Sequence, residues 1–303
     1  MDIGSLTRAA AILHIAQPAL SQQIAALETH FGRQLLVRSK RGVVPTQAGR
    51  ALYRHAQLMM RQLEQAEVDV ENSDVVVAGR VSVGLAPLST PGVLSLPLLQ
   101  TVRERYPGIV LQINENVGGV ISELIMTGRM DVAFIYDPGD IRGVDCEPVL
   151  LEDLHLVTSS SMPSVEDGPS DVSAELVAKY DLILPTRIHT IRQFVDMTFR
   201  RIGAAPKVIA EIESIPTLAS AVCAGIGATI VPWSCAQSIA ASGENVVVRR
   251  IAKPNVQVKV SLCTSDQLPL SEPAKVVSDI LGDLARAYAR DHQSRGIKAL
   301  EGA

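Results

Sequence analysis

Near the start of the chain lie polar residues whose side chains form hydrogen bonds and whose spacing has a clear chemical use. Gln17, Ser21 and Gln22 lie away from the apolar face of a predicted helix that opens with Gln17-Pro18. Glutamine amides and serine hydroxyls can pair with the edges of bases, and neither is bulky enough to hold a helix away from a major groove. We therefore predict that Gln17, Pro18, Ser21 and Gln22 contact bases.

A short basic segment follows this helix. Two apolar stretches, Leu35–Val37 and Val43–Val44, flank it, which predicts a two-stranded hairpin, or wing. Gly42 can adopt the positive φ that the tight turn needs. We expect the cations of the turn to hold phosphate or to enter a minor groove. These cations are Arg38, Lys40 and Arg41.

The elements that must position the polar face are two helices and a tight turn. Ser5 can cap the first helix, and His14-Ile15-Ala16 separates it from the second. Proline is tolerated in the first turn of that second helix. Its apolar back is formed by Leu20, Ile24 and Leu27. The pattern is typical of a helix-turn-helix, and an ordinary αα-hairpin is the alternative.

The next segment predicts one long helix, from Thr46 to about Asn72, because it is rich in helix-forming residues. Two heptad series interleave along it: Leu52, Met59 and Ala66 with Ala56, Leu63 and Val70. We predict that this seam pairs two subunits through Leu52, Met59 and Leu63. It runs for only about two and a half heptads, so packing onto its own domain is the alternative.

Charge also divides the chain. Residues 1–62 contain eight basic and two acidic side chains, whereas the remaining residues contain 20 basic and 30 acidic ones. A basic head on an acidic body is expected when one domain binds phosphate and the other does not. Clustering by chance on a solvated face is the alternative.

Other reactive residues indicate no catalytic site, cofactor or metal. The six histidines lack metal-ligand spacing, and no Gly-x-Ser-x-Gly elbow is present. Gly225-Ile226-Gly227 follows a predicted helix and precedes a strand, the reverse of a dinucleotide fingerprint, so we expect it to end that helix. The cysteines are too sparse for a disulfide framework or a zinc site, which favours a reduced cytoplasm. They are Cys146, Cys223, Cys235 and Cys263.

The sequence predicts a cytoplasmic protein without a membrane span. Its first five residues lack the basic start and apolar core of a secretion signal. The longest weakly polar run, Leu218–Trp233, is interrupted by glycine and proline and is shorter than the roughly 20 apolar residues of a membrane helix.

Beyond Gly79, short β-branched runs alternate with helical stretches, which indicates an α/β fold with parallel strands. The predicted strands are 80–85, 109–113, 132–136, 154–157, 182–184, 208–212, 229–231, 246–248 and 256–262. The predicted helices are 93–106, 120–127, 174–179, 191–202, 217–224 and 272–291. We expect the final dozen residues to be frayed.

These residues resemble the LysR-type transcriptional regulators. The N-terminal resemblance lies in Gln17–Ile24 through Leu27-Glu28, in Leu35–Arg38 with Arg41-Gly42, and in Thr46 with Ala48-Gly49. Gly128–Ala133 and Ala224–Gly227, ending at Pro232, are similar to the family's effector domain. The resemblance covers nearly the whole chain.

The resemblance implies a winged helix-turn-helix at 1–45, a linker helix at 46–75 and a two-lobed effector domain at 79–292 that resembles periplasmic binding proteins. Its lobes would be 80–158 plus 260–292, and 159–259. The resemblance also implies homodimers or homotetramers that bind paired half-sites on double-stranded DNA and act on RNA polymerase as activators or repressors. Asp2–Thr7, His14–Gln17 and Glu211–Ile215 resemble the family members that regulate nitrogen-assimilation genes.

An effector cleft between the lobes is also implied. Ser89 and Thr90 lead into a helix whose free amides could hold a small anion, and Thr186 could face it from the other lobe. The alternative is that Ser89 and Thr90 only cap the helix. Val117-Gly118-Gly119 stands where relatives often have a polar Ser or Thr. We therefore expect weak or absent binding of charged metabolites, with regulation set by the amount of protein.

Two departures from the family concern the head. Ala16 stands where relatives have a capping Ser or Thr, a change worth about 1 kcal/mol. Relatives also carry a first helix before the segment that matches Asp2, and we expect the natural protein to have it. A solute-binding or regulatory protein with a truncated, non-functional head is the rival class. The basic head and the lack of a signal peptide argue against it, and duplex binding would discriminate.

Overall fold

The computed structural model describes residues 3–39, 42–71, 77–116, 118–137, 139–162 and 171–300. The chain divides into two compact units, Met1–Glu67 and Val68–Ala303, which are described separately.

The first unit contains two helices, a hairpin and most of a long helix. These are α1 (Leu6–Ile12), α2 (Gln17–Phe31), β1 (Leu36–Ser39), β2 (Gly42–Pro45) and α3 (Gln47–Glu71). Ser5 caps α1 as predicted, since its side chain accepts a hydrogen bond from the Arg8 amide. His14, between the helices, has the left-handed φ of 54°, and Gly32 ends α2 with a φ of 60°.

The long helix α3 has 25 residues, so it is about 37 Å long at 1.5 Å per residue. Thr46 begins it: its Oγ1 accepts a hydrogen bond from the Gly49 amide at 3.0 Å and donates to the Gln34 carbonyl at 2.7 Å. Thr46 therefore joins the hairpin segment to the start of the helix.

The second unit contains the remaining elements. Its strands are β3 (Gly79–Leu85), β4 (Ile109–Glu115), β5 (Val132–Tyr136), β6 (Val144–Ser159), β7 (Asp171–Ser173), β8 (Asp181–Leu184), β9 (Lys207–Glu211), β10 (Thr229–Pro232), β11 (Val246–Lys253), β12 (Gln257–Ser265) and β13 (Ile297–Ala299). Its α-helices are α4 (Thr90–Val93), α5 (Ser95–Arg105), α6 (Gly118–Met126), α7 (Ala174–Val177), α8 (Thr190–Arg201), α9 (Ile215–Cys223), α10 (Trp233–Ala240) and α11 (Glu272–Asp291).

One mixed sheet runs through this unit in the order β4-β3-β5-β12-β6-β11-β7, with β10 and β13 also on β6. Strand β3 is parallel to β4 and β5, whereas β12 is antiparallel to β5 and β6. Strands β8 and β9 form a separate parallel pair. The α/β class is therefore confirmed, with a mixed sheet in place of a purely parallel one.

Strand β6 connects the two lobes. Its first part, Val144–Asp153, pairs with β12, and its second part, His155–Ser159, pairs with β11. The larger apolar core packs around buried side chains such as Phe134, Leu150 and Leu156, and a smaller one surrounds Val157 and Ile183. The predicted strand at 154–157 thus lies in the last third of a much longer strand.

The expectation of a frayed C-terminus was wrong. After α11, a single 3-10 turn at Gln293–Arg295 leads into β13, which pairs antiparallel with Leu150–Glu152 of β6. Ile297 is completely buried there. This strand is ordered because it buries an apolar side chain and completes backbone hydrogen bonds on β6.

Two differences and one agreement concern short or distant elements. Helix α10 was missed, because its eight residues are too few for a clear period and include two serines. Gly225 ends α9 with a φ of 70°, as predicted. A disulfide joins Cys146 and Cys263, 117 residues apart, a pair that the sequence did not indicate.

Candidate nucleic-acid interface and effector cleft

The predicted base-reading residues lie together at the start of α2. Gln17, Pro18 and Gln22 are exposed and Ser21 is half-buried. The Gln17 Nε2 donates to the Ser21 Oγ at 2.8 Å, which holds the two polar groups side by side. The structure therefore presents one compact, uncharged hydrogen-bonding surface of the kind that can enter a major groove.

The apolar side of α2 is only partly covered. Leu20 and Ile24 are half-buried, Leu27 is 42% exposed, and no residue of α2 is fully buried. Ala16 at the start of α2 provides no side-chain cap, as its residue type predicts. Pro18 lies in the first turn, where a missing amide costs little.

The wing is an antiparallel hairpin in the predicted place. Arg38 pairs with Val43 across it, and its side chain is exposed. The Val43 amide donates to the Gly4 carbonyl at 3.0 Å, which holds the wing against the segment before α1. Gly42 has a φ of 122°, and a Cβ there would collide with the same carbonyl. Lys40 and Arg41 lie outside the described residues.

Glu28 joins α2 to the wing, a role that sequence reasoning did not assign. Its Oε1 accepts hydrogen bonds from the backbone amides of Leu35 at 2.8 Å and Leu36 at 3.1 Å. These bonds, with a smaller contribution from the charge of Arg38, hold the pKa of the Glu28 carboxyl below its usual value. The carboxylate therefore fixes the angle between the base-facing helix and the basic hairpin.

The predicted dimerisation residues lie on one side of α3. Leu52 is half-buried, whereas Met59 is 63% and Leu63 is 54% exposed. Leu58, on another side of the helix, is buried. An exposed apolar stripe on a long helix favours a partner helix over packing within its own unit.

Ser89 and Thr90 are buried between the lobes, and their hydroxyls bond to other groups of the protein. Ser89 caps α4 by accepting from the Gly92 amide at 3.2 Å. The Thr90 Oγ1 donates to the Glu152 Oε2 at 2.6 Å and lies 3.1 Å from the Ser234 Oγ. Thr186 does not join this cluster, since its hydroxyl donates to the Glu213 carboxylate.

Glu152 is the charged residue at the centre of this region, and sequence reasoning missed it. It is fully buried on β6, and the Tyr136 hydroxyl donates to its Oε1 at 2.8 Å. Burial raises the pKa of this carboxyl to about 7, although the hydrogen bonds from Thr90 and Tyr136 act against the rise. The alternation of polar and apolar residues along β6 does not identify Glu152 as a buried polar residue.

Little space remains beside this cluster. The inner cavity between the lobes has a volume of about 10 Å³, roughly enough for one water molecule. Buried His189 closes it from the second lobe, against Ala86 and Pro87 of the first. Burial lowers the pKa of His189, so the neutral ring is favoured. An open groove of about 720 Å³ lies outside this small cavity, and Phe194 and Lys259 are among the residues that line the groove.

Over the residues that the structure describes, no group of three or more His, Cys, Asp and Glu side chains is arranged to hold a metal ion. In the same part of the chain, every helix is too short or too polar to cross a bilayer.

A helix-turn-helix with an exposed polar face, a hairpin carrying an exposed arginine and a two-lobed α/β unit define a DNA-binding transcriptional regulator. Residues 1–50 match the bacterial regulatory helix-turn-helix proteins of the lysR family, and residues 76–286 match the LysR substrate binding domain. The chain therefore belongs to the LysR family of DNA-binding transcriptional regulators.

Two relatives are similar over most of their length. The chain is 42% identical to the nitrogen assimilation regulatory protein nac of Klebsiella aerogenes, over 93% of this chain and 90% of that protein. It is 41% identical to the protein of the same name from Escherichia coli strain K12, with the same coverage. Full-length CbnR, solved in complex with target DNA, has the same fold: the TM-score is 0.57 at 23% identity, over 93% of this chain and 95% of that one.

Proposed function

We propose that this regulator reads its operators through Gln17, Pro18, Ser21 and Gln22, and holds the DNA backbone through Arg38, Lys40 and Arg41. The observation that carries the proposal is the compact polar surface at the start of α2, with Arg38 exposed on the adjoining wing. Uncharged side chains would select bases, and cations would supply affinity for any duplex.

We further propose that the target genes concern nitrogen assimilation. Support comes from the two nac proteins, which match this chain at 42% and 41% identity over nearly their whole length. The regulator would act in the cytoplasm, where it meets DNA and RNA polymerase. It would activate or repress according to promoter geometry, and it would have no catalytic activity.

The proposed assembly is a homodimer or homotetramer paired through Leu52, Met59 and Leu63 of α3. Support comes from the exposure of Met59 and Leu63, which a partner helix would cover. A symmetric dimer then binds two half-sites whose separation is a whole number of helical turns of DNA.

The effector cleft is proposed to bind charged metabolites weakly or not at all. The hydroxyl groups of Ser89 and Thr90 already have partners within the protein, and the inner cavity has room for about one water molecule. Regulation would then rest on the amount of protein made.

The proposed function is tested by selecting fragments of the host's genome with the full-length protein and sequencing them. Promoters of genes for using nitrogen sources should be enriched, with paired half-sites at a regular spacing. The matched control is Gln22→Ala, which removes one base contact and no charge. Enrichment of the same fragments by both proteins would contradict the base-reading role. Failure to bind any duplex would favour the rival class of solute-binding protein.

A further inference from the structure

We propose that Cys146 and Cys263 form a reversible redox site that exchanges with small-molecule thiols, with Cys146 as the sulfur that reacts. The two residues are register partners on the adjacent antiparallel strands β6 and β12. Their Cα atoms are 4.1 Å apart, and a disulfide joins them. The strands hold both sulfurs in place, so the bond can re-form after reduction without rearrangement of the fold.

The two sulfurs differ in access to solvent. Cys146 is half-buried and lines an open groove of about 810 Å³, together with Asp140, Arg142 and Asp145. Cys263 is completely buried on β12, which lies between β5 and β6 in the sheet. A small thiol that approaches through this groove therefore meets Cys146 before Cys263, because Cys146 is the more exposed residue of the pair.

This asymmetry sets the course of the exchange. A thiolate RS⁻ attacks the Cys146 Sγ, the bond between the protein sulfurs breaks, and its electron pair leaves with the Cys263 Sγ, which then takes a proton. A second thiolate attacks the small-molecule sulfur of this mixed disulfide, RSSR is released, and the electron pair of the broken bond leaves with the Cys146 Sγ, which then takes a proton. One protein disulfide and two RSH give two protein thiols and one RSSR, and RSSR is the oxidant of the reverse reaction.

The other two cysteines provide internal comparisons. Cys235 is fully buried, and burial raises the pKa of its thiol to about 12, so its reactive thiolate is scarce at neutral pH. Cys223 is partly buried and forms no disulfide. The proposed redox site is thus confined to the cross-strand pair Cys146 and Cys263.

The position of the bond gives it a structural consequence. It ties the first half of β6 to β12, and β6 continues into the second lobe. Reduction should therefore raise the hydrogen-exchange rate of the backbone amides around Cys146, on the strand that connects the lobes.

The test begins with full-length protein equilibrated in glutathione buffers of graded redox ratio, alkylated in the native state and analysed by peptide mass. Cys146 and Cys263 should pass together from disulfide to dithiol over one range of ratios, as a two-electron couple, while Cys235 stays unmodified. A pair that remains entirely disulfide, or entirely dithiol, at every ratio would overturn the proposal.

Two matched variants test which sulfur reacts. In Cys263→Ala, the remaining Cys146 should form a mixed disulfide with oxidised glutathione. In Cys146→Ala, the remaining Cys263 should do so at least tenfold more slowly. Equal rates at the two positions would remove the assigned roles. The wild-type titration needs neither variant to fold, so the redox couple is tested independently.

Discussion

The hydroxyl of Thr90 donates a 2.6 Å hydrogen bond to the carboxyl of Glu152, 62 residues away and completely buried. Glu152 thereby supplies, from within the chain, a hydrogen-bond partner for the Thr90 hydroxyl. The Tyr136 hydroxyl donates to its other oxygen, so both carboxyl oxygens have a donor. The Thr90 hydroxyl is therefore already paired within the protein.

Stability should depend on pH through Glu152. Burial raises the folded-state pKa of this carboxyl from its ordinary value of 4.5 to about 7, so the native protein holds this proton over a range where the unfolded chain has lost it. The group's contribution is therefore complete below about pH 4.5 and is lost as pH rises to about 7, by roughly 3 kcal/mol.

Glu152→Gln should remove this loss, because an amide stays neutral at both pH values. Urea unfolding at pH 5 and pH 8 measures the loss of stability. The free energy of unfolding should fall less between pH 5 and pH 8 in the variant than in the wild type. Buried His155, whose pKa is lowered to about 4, changes stability in the opposite sense on the acid side and is common to both proteins. Glu104→Gln, at an exposed position, is the control and should show the same fall in stability between pH 5 and pH 8 as the wild type. If Glu152→Gln also showed the wild-type fall, Glu152 would be ionised in the folded protein.

Base reading and phosphate holding should be separable. Gln22→Ala should lower the preference for the operator over random duplex by roughly 1 to 3 kcal/mol. Arg38→Ala should weaken binding to every duplex and reduce the slope of log K against log salt by about one; the sequence predicts the same for Arg41→Ala. Fluorescence anisotropy with both duplexes at several salt concentrations measures this, and equal loss of specific and non-specific binding in all variants would refute the division.

Subunit pairing should depend on the exposed stripe of α3. In a symmetric dimer each subunit should bury its own Met59 side chain, and each burial should stabilise the dimer by about 1.5 to 3 kcal/mol. Met59→Glu replaces both apolar side chains with charges. The dimer dissociation constant should rise at least tenfold, as measured by sedimentation or light scattering over a dilution series. Arg54→Glu introduces the same residue on the opposite side of the helix and should leave the mass unchanged. Equal effects of both variants would place the interface elsewhere.

Titration with amino acids and small carboxylates should produce little thermal shift. The reason is the occupied hydroxyls of Ser89 and Thr90 and the closed inner cavity. Differential scanning fluorimetry of the full-length protein measures it, with Ser89→Ala and Thr90→Val as companions. A saturable rise of several degrees that either variant abolishes would show that the cleft is a working effector site.

The sequence determined the elements whose signals are local. The cap at Ser5, the interruption around His14, the proline in the first turn of α2 and the glycine at Gly42 act within a few residues, so the two helices and the wing were found in their places. The heptad spacing of α3 and the α/β alternation beyond Gly79 are likewise short-range patterns, and both appear in the structure.

Only the tertiary structure decided which distant residues meet. Cys146 with Cys263, and β13 with β6, depend on the register of a sheet whose partners lie well over 100 residues apart. Thr90 of helix α4 meets Glu152 of strand β6, 62 residues away. The sequence of a single strand does not specify which strand pairs with it. A one-residue slip in register would turn each side chain to the other face of the sheet. Packing of the whole unit brings Thr90 to Glu152 and selects the one register that places two sparse cysteines in bonding contact.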